Sequence, residues 1–215
     1  MEILYEDNEL TVAVKPPELL SEQTPDQSGF ADRMAERNAN RYVGVIHRLD
    51  RGVGGVMVYA RTPDAAAKLS ANVQTRSMKK EYLAIVHGAP EQSSGRLYDL
   101  LFHDRIKNKT YTVERARKGV KEAILDYEVQ KSIVHPEMGP LTLVRVSLLT
   151  GRTHQIRVQF ASRGTPLLGD RKYGAPSHAP IGLFSHRLTF PHPKSKKEMR
   201  FSSLPSGGIW DLFSY

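Results

Sequence analysis

The chain has 215 residues, enough to bury a substantial core in one domain of slightly above-average size. It contains no cysteine, which excludes disulfides, thiolate catalysis and cysteine-based zinc sites. Its 31 Lys and Arg against 23 Asp and Glu give a net charge of +8, unevenly spread: residues 1–40 hold nine acids and three bases and residues 41–215 hold 28 bases and 14 acids, an excess that attracts phosphate backbones as readily as it solubilises.

Residues 11–14 form a short strand pattern that breaks at Lys15-Pro16-Pro17, and residues 21–41 are polar and poorly periodic, fitting a loop with one short helix. The apolar run Val43-Gly-Val-Ile46 then stops on His47-Arg48-Leu49-Asp50, and a glycine-rich turn follows Arg51. One carboxylate between two arginines suits an ionised acid held in reach of a polyanion; charged residues capping a buried strand are the plainer reading of the same tetrapeptide. Residues 55–60 alternate as a strand. Thr62-Pro63-Asp64 opens a helix, with Thr as N-cap, Pro at the first position and Asp complementing the dipole, and Leu69 and Val73 mark its buried face. Residues 82–86 read as an apolar strand closed by Gly88.

Residues 103–121 are strongly basic (Arg105, Lys107, Lys109, Arg115, Arg117, Lys118, Lys121), with Tyr111 among the charges. This is either a solvated hairpin or a ribbon that tracks RNA. Strand patterns over 123–129 and 141–149 flank a turn at 136–140, and Thr153 is positioned to cap a helix running to Gly164 with Ile156 and Phe160 inward. Strands over 183–190 and 198–202 and a terminal helix over 210–213 complete the pattern, with no internal repeat. Strands outnumber helices and come in adjacent runs, which predicts an α+β fold with a large, mixed, mostly antiparallel sheet flanked by helices and loops. No apolar stretch approaches 18 residues and no signal-peptide pattern opens the chain, so a cytoplasmic protein is expected.

Two segments carry a specific resemblance: His47-Arg-Leu-Asp50, and Thr150-Gly-Arg-Thr-His-Gln-Ile-Arg157. Together they resemble the RNA pseudouridine synthases of the RluA type, whose catalytic loop reads His-Arg-Leu-Asp and whose later motif reads Thr-Gly-Arg-x-His-Gln-Ile/Leu-Arg. The likeness runs from Ile3 through the Lys-Pro at 15–16, the segment 79–88, the segment 164–170, Tyr173-Gly174 and the segment 188–192. It implies the pseudouridine synthase fold, with residues 1–215 as one catalytic domain and no separate N-terminal RNA-binding module. Two departures stand out. The family usually has Thr-Ser-Gly after the aspartate loop where this chain has Val53-Gly54-Gly55, so any bracing those hydroxyls give must be absent or replaced. Glu18 stands where a glycine after Lys-Pro is usual, and a differently built turn is expected there.

By this resemblance the activity is isomerisation of uridine to its C-glycoside, in ribosomal or transfer RNA, without cofactor or metal. Asp50 matches the catalytic aspartate, Tyr82 the active-site tyrosine that stacks on the uracil, and Arg157 the motif arginine expected to pair with Asp50. A surface helix arginine and a core strand tyrosine are the plain alternatives for the last two. Arg48 suits the space left by an extruded base, Arg51, Arg152 and His154 suit phosphate contact or loop bracing, and Arg105, Lys107 and Lys109 suit the RNA surface. A metal-dependent hydrolase using His47 and Asp50, and a non-catalytic RNA-binding protein on the same scaffold, are the rivals. RNA is the expected partner, with no membrane or protein partner, and a monomer is expected.

Overall fold

The computed structural model describes residues 1–39 and 41–213, which fall into two compact units. Each unit is built on antiparallel pairing, and among the described residues eleven strands with three α-helices give the α+β class expected from the sequence.

The first unit comprises Met1–Lys80 and Phe184–Ser206. Strands β1 (Glu2–Glu6) and β2 (Leu10–Lys15) form a hairpin whose turn is fixed by Asp7, its carboxylate accepting the Glu9 and Leu10 backbone N–H groups at 2.8 and 2.9 Å. Helix α1 (Phe30–Arg37), the two-residue strand β3 (Gly44–Val45) and strand β4 (Gly54–Ala60) follow. Every residue of β4 is buried, as its uninterrupted apolar sequence requires of a strand covered on both faces. It pairs antiparallel with β2 and β3, and parallel with β10 (Leu183–Pro191) through Phe184 and Ser185. That last pairing demands glycine: a Cβ on Gly55 (φ 123°) would stand 2.3 Å from the Ser185 carbonyl oxygen. Strand β11 (Glu198–Ser202) closes on β10. Helix α2 (Pro63–Gln74) is capped as expected, Thr62 Oγ1 accepting from the Ala65 N–H at 3.1 Å, and it lays Leu69 against Leu10, Val12, Val56, Val58, Leu188 and Phe190.

The second unit comprises Glu81–Leu183 with the C-terminal residues from Gly207. Its strands are β5 (Lys79–His87), β6 (Ser94–Asp104), β7 (Lys109–Val113), β8 (Val120–His135) and β9 (Gly139–Leu148), arranged β5-β9-β8-β6-β7. Strand β8 runs to His135, six residues past the expected end. A register shift between Val129 and Lys131 carries it there, and side chains beyond the shift alternate between half-buried and exposed rather than apolar and polar. Leu83, Ile85, Leu141, Leu143, Leu168 and Phe213 form this unit's main core.

Three sequence expectations are corrected in this unit. Helix α3 spans Gln155–Ala161, not 153–164. Thr153 does not cap it: His154 takes the preceding position in the left-handed conformation (φ 54°), and the Gln155 side chain accepts from the Arg152 N–H and the Thr150 hydroxyl. The expected terminal helix is a 3₁₀ turn over Gly208–Leu212. Among the described residues no helix is long and apolar enough to cross a membrane.

Candidate active site

In the first unit the feature that stands out is the loop at residues 47–53, joined to β4. Leu49 is a buried anchor clamped at both backbone polar groups by one hydroxyl: its N–H donates to Ser21 Oγ and Ser21 Oγ donates to its carbonyl, both at 2.9 Å. A turn follows, with the Val53 N–H donating to the Asp50 carbonyl at 2.9 Å. Lys15, wholly buried, donates to the carbonyls of Pro16 (2.9 Å), Leu19 (2.7 Å) and Arg51 (3.4 Å), tying this loop to the segment after β2. Burial pulls the Lys15 ammonium down to about 8, against the opposing pull of Glu18 and Asp50. Ser21 and Lys15 thus brace a loop that lacks the two hydroxyls at 53 and 54. Asp50 itself is half-buried, on a backbone fixed from either side.

The flanking arginines are exposed and face carboxylates of the preceding segment. Arg48 donates to Glu22 at 2.7 Å, while Arg51 donates to the Glu18 carbonyl at 3.3 Å and lies 3.7 Å from its carboxylate. Glu18 takes the left-handed conformation (φ 64°) itself. The turn after Lys-Pro therefore keeps a glycine-like backbone with a side chain in it, which is strained for an L-residue.

His47 is buried, and its Nε2 accepts the Val58 N–H at 3.3 Å. Burial and the nearby Lys80 hold its pKa well below the usual histidine range. A nitrogen engaged by backbone suits a structural imidazole better than a metal ligand. Among the described residues no group of three or more His, Asp and Glu is arranged to hold a metal ion.

In the second unit Tyr82 is buried in β5. Arg157, in the first turn of α3, donates twice to Asp170: Nε to Oδ2 at 2.6 Å and Nη2 to Oδ1 at 2.8 Å. The guanidinium also lies 5.1 Å from the Tyr173 ring centre. Neither Asp170 nor Tyr173 was singled out from sequence as a site residue. Asp170 had a signal: like Asp50, it is an acid that ends an apolar run, Leu167-Leu168-Gly169. His154 is buried and shares a hydrogen bond with the Tyr173 hydroxyl at 2.9 Å, so it braces rather than faces solvent. Arg152 is turned onto β8, its Nε donating to the Glu122 carbonyl at 2.8 Å.

The first part of the basic stretch is the turn and return strand of the β6–β7 hairpin, a form common to both readings of it. Asp104 Oδ1 accepts from the N–H groups of Ile106 and Lys107 at 2.9 and 3.0 Å, and the resulting turn leaves Arg105, Ile106 and Lys107 exposed. Lys109 stands over two rings, Tyr111 at 5.8 Å and Tyr173 at 5.4 Å.

The sequence profile of the RNA pseudouridylate synthase family matches residues 9–162, most of the chain. The chain belongs to that family. Members are isomerases acting on RNA, and the match takes in Asp50, Tyr82 and Arg157 while stopping short of Asp170 and Tyr173. Among similar proteins, an uncharacterized RNA pseudouridine synthase of Aquifex aeolicus (strain VF5) is 34% identical over 220 residues, covering 93% of this chain and 67% of the relative. The ribosomal large subunit pseudouridine synthase C of Buchnera aphidicola is 32% identical over 213 residues, covering 92% and 64%. The chain thus spans about two thirds of the length of these relatives. Two solved human structures share the fold. RNA Pseudouridylate Synthase Domain Containing 1 has TM-score 0.78 at 21% identity over 95% of this chain and 83% of its own, and RNA Pseudouridylate Synthase Domain Containing 4 has 0.76 at 24% over 94% and 87%. The pseudouridine synthase fold expected from the motifs is the fold of this chain.

Proposed function

We propose that this chain isomerises specific uridines to pseudouridine in ribosomal or transfer RNA in the cytoplasm, with Asp50 as the catalytic carboxylate and residues 1–215 working as one catalytic domain. The observation that carries the reading is the Asp50 loop, where a half-exposed carboxylate sits on a backbone clamped by Ser21 and Lys15. A carboxylate so held keeps its aim when charged RNA approaches, and effective positioning of this kind is a main source of rate.

The reaction breaks the N1 to C1′ bond of uridine and forms a bond from C5 to C1′. The proton on C5 is lost and N1 gains one, so no atom or electron is added and neither cofactor nor metal is required. Asp50 serves either by attacking C1′ or C6, or by taking the C2′ proton. Arg157 serves the reaction as a permanent cation, and Tyr82 stacks on the uracil with its hydroxyl near the C5 proton. A uridine in folded RNA must first be extruded, at about a few kcal/mol, and Arg48 fills the space it leaves. Arg51, Arg152, Arg105, Lys107 and Lys109 serve the RNA backbone in this reading, and the buried His154 braces Tyr173.

The second reading, a non-catalytic RNA-binding protein, lacks an observation in its favour that the first does not share. Pseudouridine mapping across total RNA from cells with and without the gene tests the proposal. Sites that disappear with the gene and return with its expression are expected; an unchanged map contradicts it.

A further inference from the structure

Tyr173 closes a 3₁₀ turn, Arg171–Tyr173, three residues after Asp170, and its ring and hydroxyl reach two different elements of the second unit. On the ring side the Arg157 guanidinium lies 5.1 Å from the centroid and the Lys109 ammonium 5.4 Å. On the hydroxyl side the Thr110 N–H donates to Tyr173 Oη at 2.8 Å and His154 Nδ1 lies at 2.9 Å. Strand β7 ends its run of the sheet, so the Thr110 N–H goes to this phenol instead of to another strand. A second contact joins the same segments, Thr110 Oγ1 donating to the Thr153 carbonyl at 2.9 Å.

A core tyrosine would do no more than pack among apolar groups, and a phenylalanine would replace it; Tyr173 does pack, against Leu101, Ala123 and Val158. This one is half-buried, its ring serves two cations, and its hydroxyl has two polar neighbours. Asp170 and Tyr173 hold the same guanidinium in different ways: the carboxylate takes Nε and Nη2, which fixes the plane of the fork, and the ring lies beside it and limits its swing. Since the phenol is anchored to β7, the arginine's position is also tied to the basic hairpin.

We propose that Tyr173 is a positioning residue for the isomerisation, fixing Arg157 and coupling it to the β6–β7 hairpin; this rests on the reading of the chain as a pseudouridine synthase with Arg157 in its active site. The ring supplies the guanidinium contact and a contact with Lys109 of the hairpin, and the hydroxyl supplies the hydrogen-bonded link to β7, so phenylalanine removes only the hydrogen-bonded link and leucine removes both.

The test uses the full chain with Tyr173→Phe and Tyr173→Leu, and total ribosomal RNA from a strain lacking the gene as the probe. Single-turnover rate, filter-binding affinity and the Arg157 Nε–H signal in ¹⁵N NMR are measured for each. Loss of the hydroxyl should lower the rate about 10-fold and loss of the ring about 100-fold, with affinity within about two-fold and the Arg157 signal displaced most in the leucine variant. Wild-type rates in both variants overturn the inference. So does a fall in rate matched by an equal fall in affinity with an unmoved Arg157 signal, which is RNA binding alone. If the leucine variant does not fold, the phenylalanine rate and signal decide. A wild-type chain that forms no pseudouridine contradicts the functional reading instead, and the Arg157 signal in the two variants still decides whether Tyr173 positions that arginine.

Discussion

Arg157 and Asp170 form a two-point ion pair in which the carboxylate side chain is 1% exposed and the arginine side chain 11%. Thirteen residues separate them, so the pair fastens the start of α3 to the loop beyond it. Asp170→Asn keeps the shape and removes the charge, and breaking a buried pair from one side should cost about 3 to 5 kcal/mol of stability. Denaturant unfolding checks this. Activity should fall with it, because the guanidinium loses its fixed plane.

Glu18 offers a test of the opposite sign. It holds φ 64° as a non-glycine residue, and its contact with Arg51 is a 3.7 Å pair between exposed side chains. Left-handed strain of about 1 kcal/mol outweighs an exposed pair of that length, so Glu18→Gly should stabilise the chain by about 0.5 to 1 kcal/mol. Thermal unfolding should give a higher midpoint; a lower one would mean that the attraction of Glu18 for Arg51 and for the buried Lys15 ammonium outweighs the backbone strain.

Lys80 gives a pH signature. Burial pulls its ammonium down to about 8, as it does for Lys15. From there up to the ordinary lysine value near 10.4 the unfolded chain binds a proton that the folded chain has released, so stability should rise with pH across that window and be flat with respect to these groups below it. Lys80→Met removes one of the two contributions. It should be more stable than wild type by about 1 to 3 kcal/mol near pH 7, and the advantage should shrink as pH rises above 8. An advantage independent of pH would mean that packing, not charge burial, is responsible.

The hairpin tip predicts a salt effect. Replacing Arg105, Lys107 and Lys109 together with glutamine should flatten the dependence of RNA affinity on salt, since each lost phosphate contact lowers the slope by about 0.7 to 0.9. A filter-binding titration with an unchanged slope removes this segment from the RNA surface.

Local chemistry was the part of the fold that could be read in advance. Thr62-Pro63-Asp64 opens a helix, the run at 55–60 is a strand, though buried throughout rather than on alternate residues, and the basic stretch at 103–121 contains a hairpin, because each signal lies within a few residues of the structure it specifies. The misses have physical causes. Thr153 looked like a cap, but His154 turns left-handed and Gln155 takes the orphan Arg152 N–H. The last part of β8 lacks apolar alternation because its pairing survives a register shift with only half-buried side chains. In the candidate site the carboxylate loop was legible as an apolar run that stops on charge. What holds it was not: Ser21 and Lys15 act on residues 28 and 36 positions away, and Tyr173 acts on β7 across 63.

Asp50→Asn is the most direct test of the central claim. The amide is nearly isosteric, yet it neither attacks C1′ or C6 effectively nor accepts a proton from C2′, so every route open to Asp50 is closed while the braced loop is kept. Pseudouridine formation in RNA from a strain lacking the gene is measured for wild type and variant, with folding checked by circular dichroism and RNA binding by filter retention. The account predicts a folded variant that binds RNA as well as or slightly better than wild type, having lost one negative charge, and forms no pseudouridine. Formation at the wild-type rate by Asp50→Asn would contradict it.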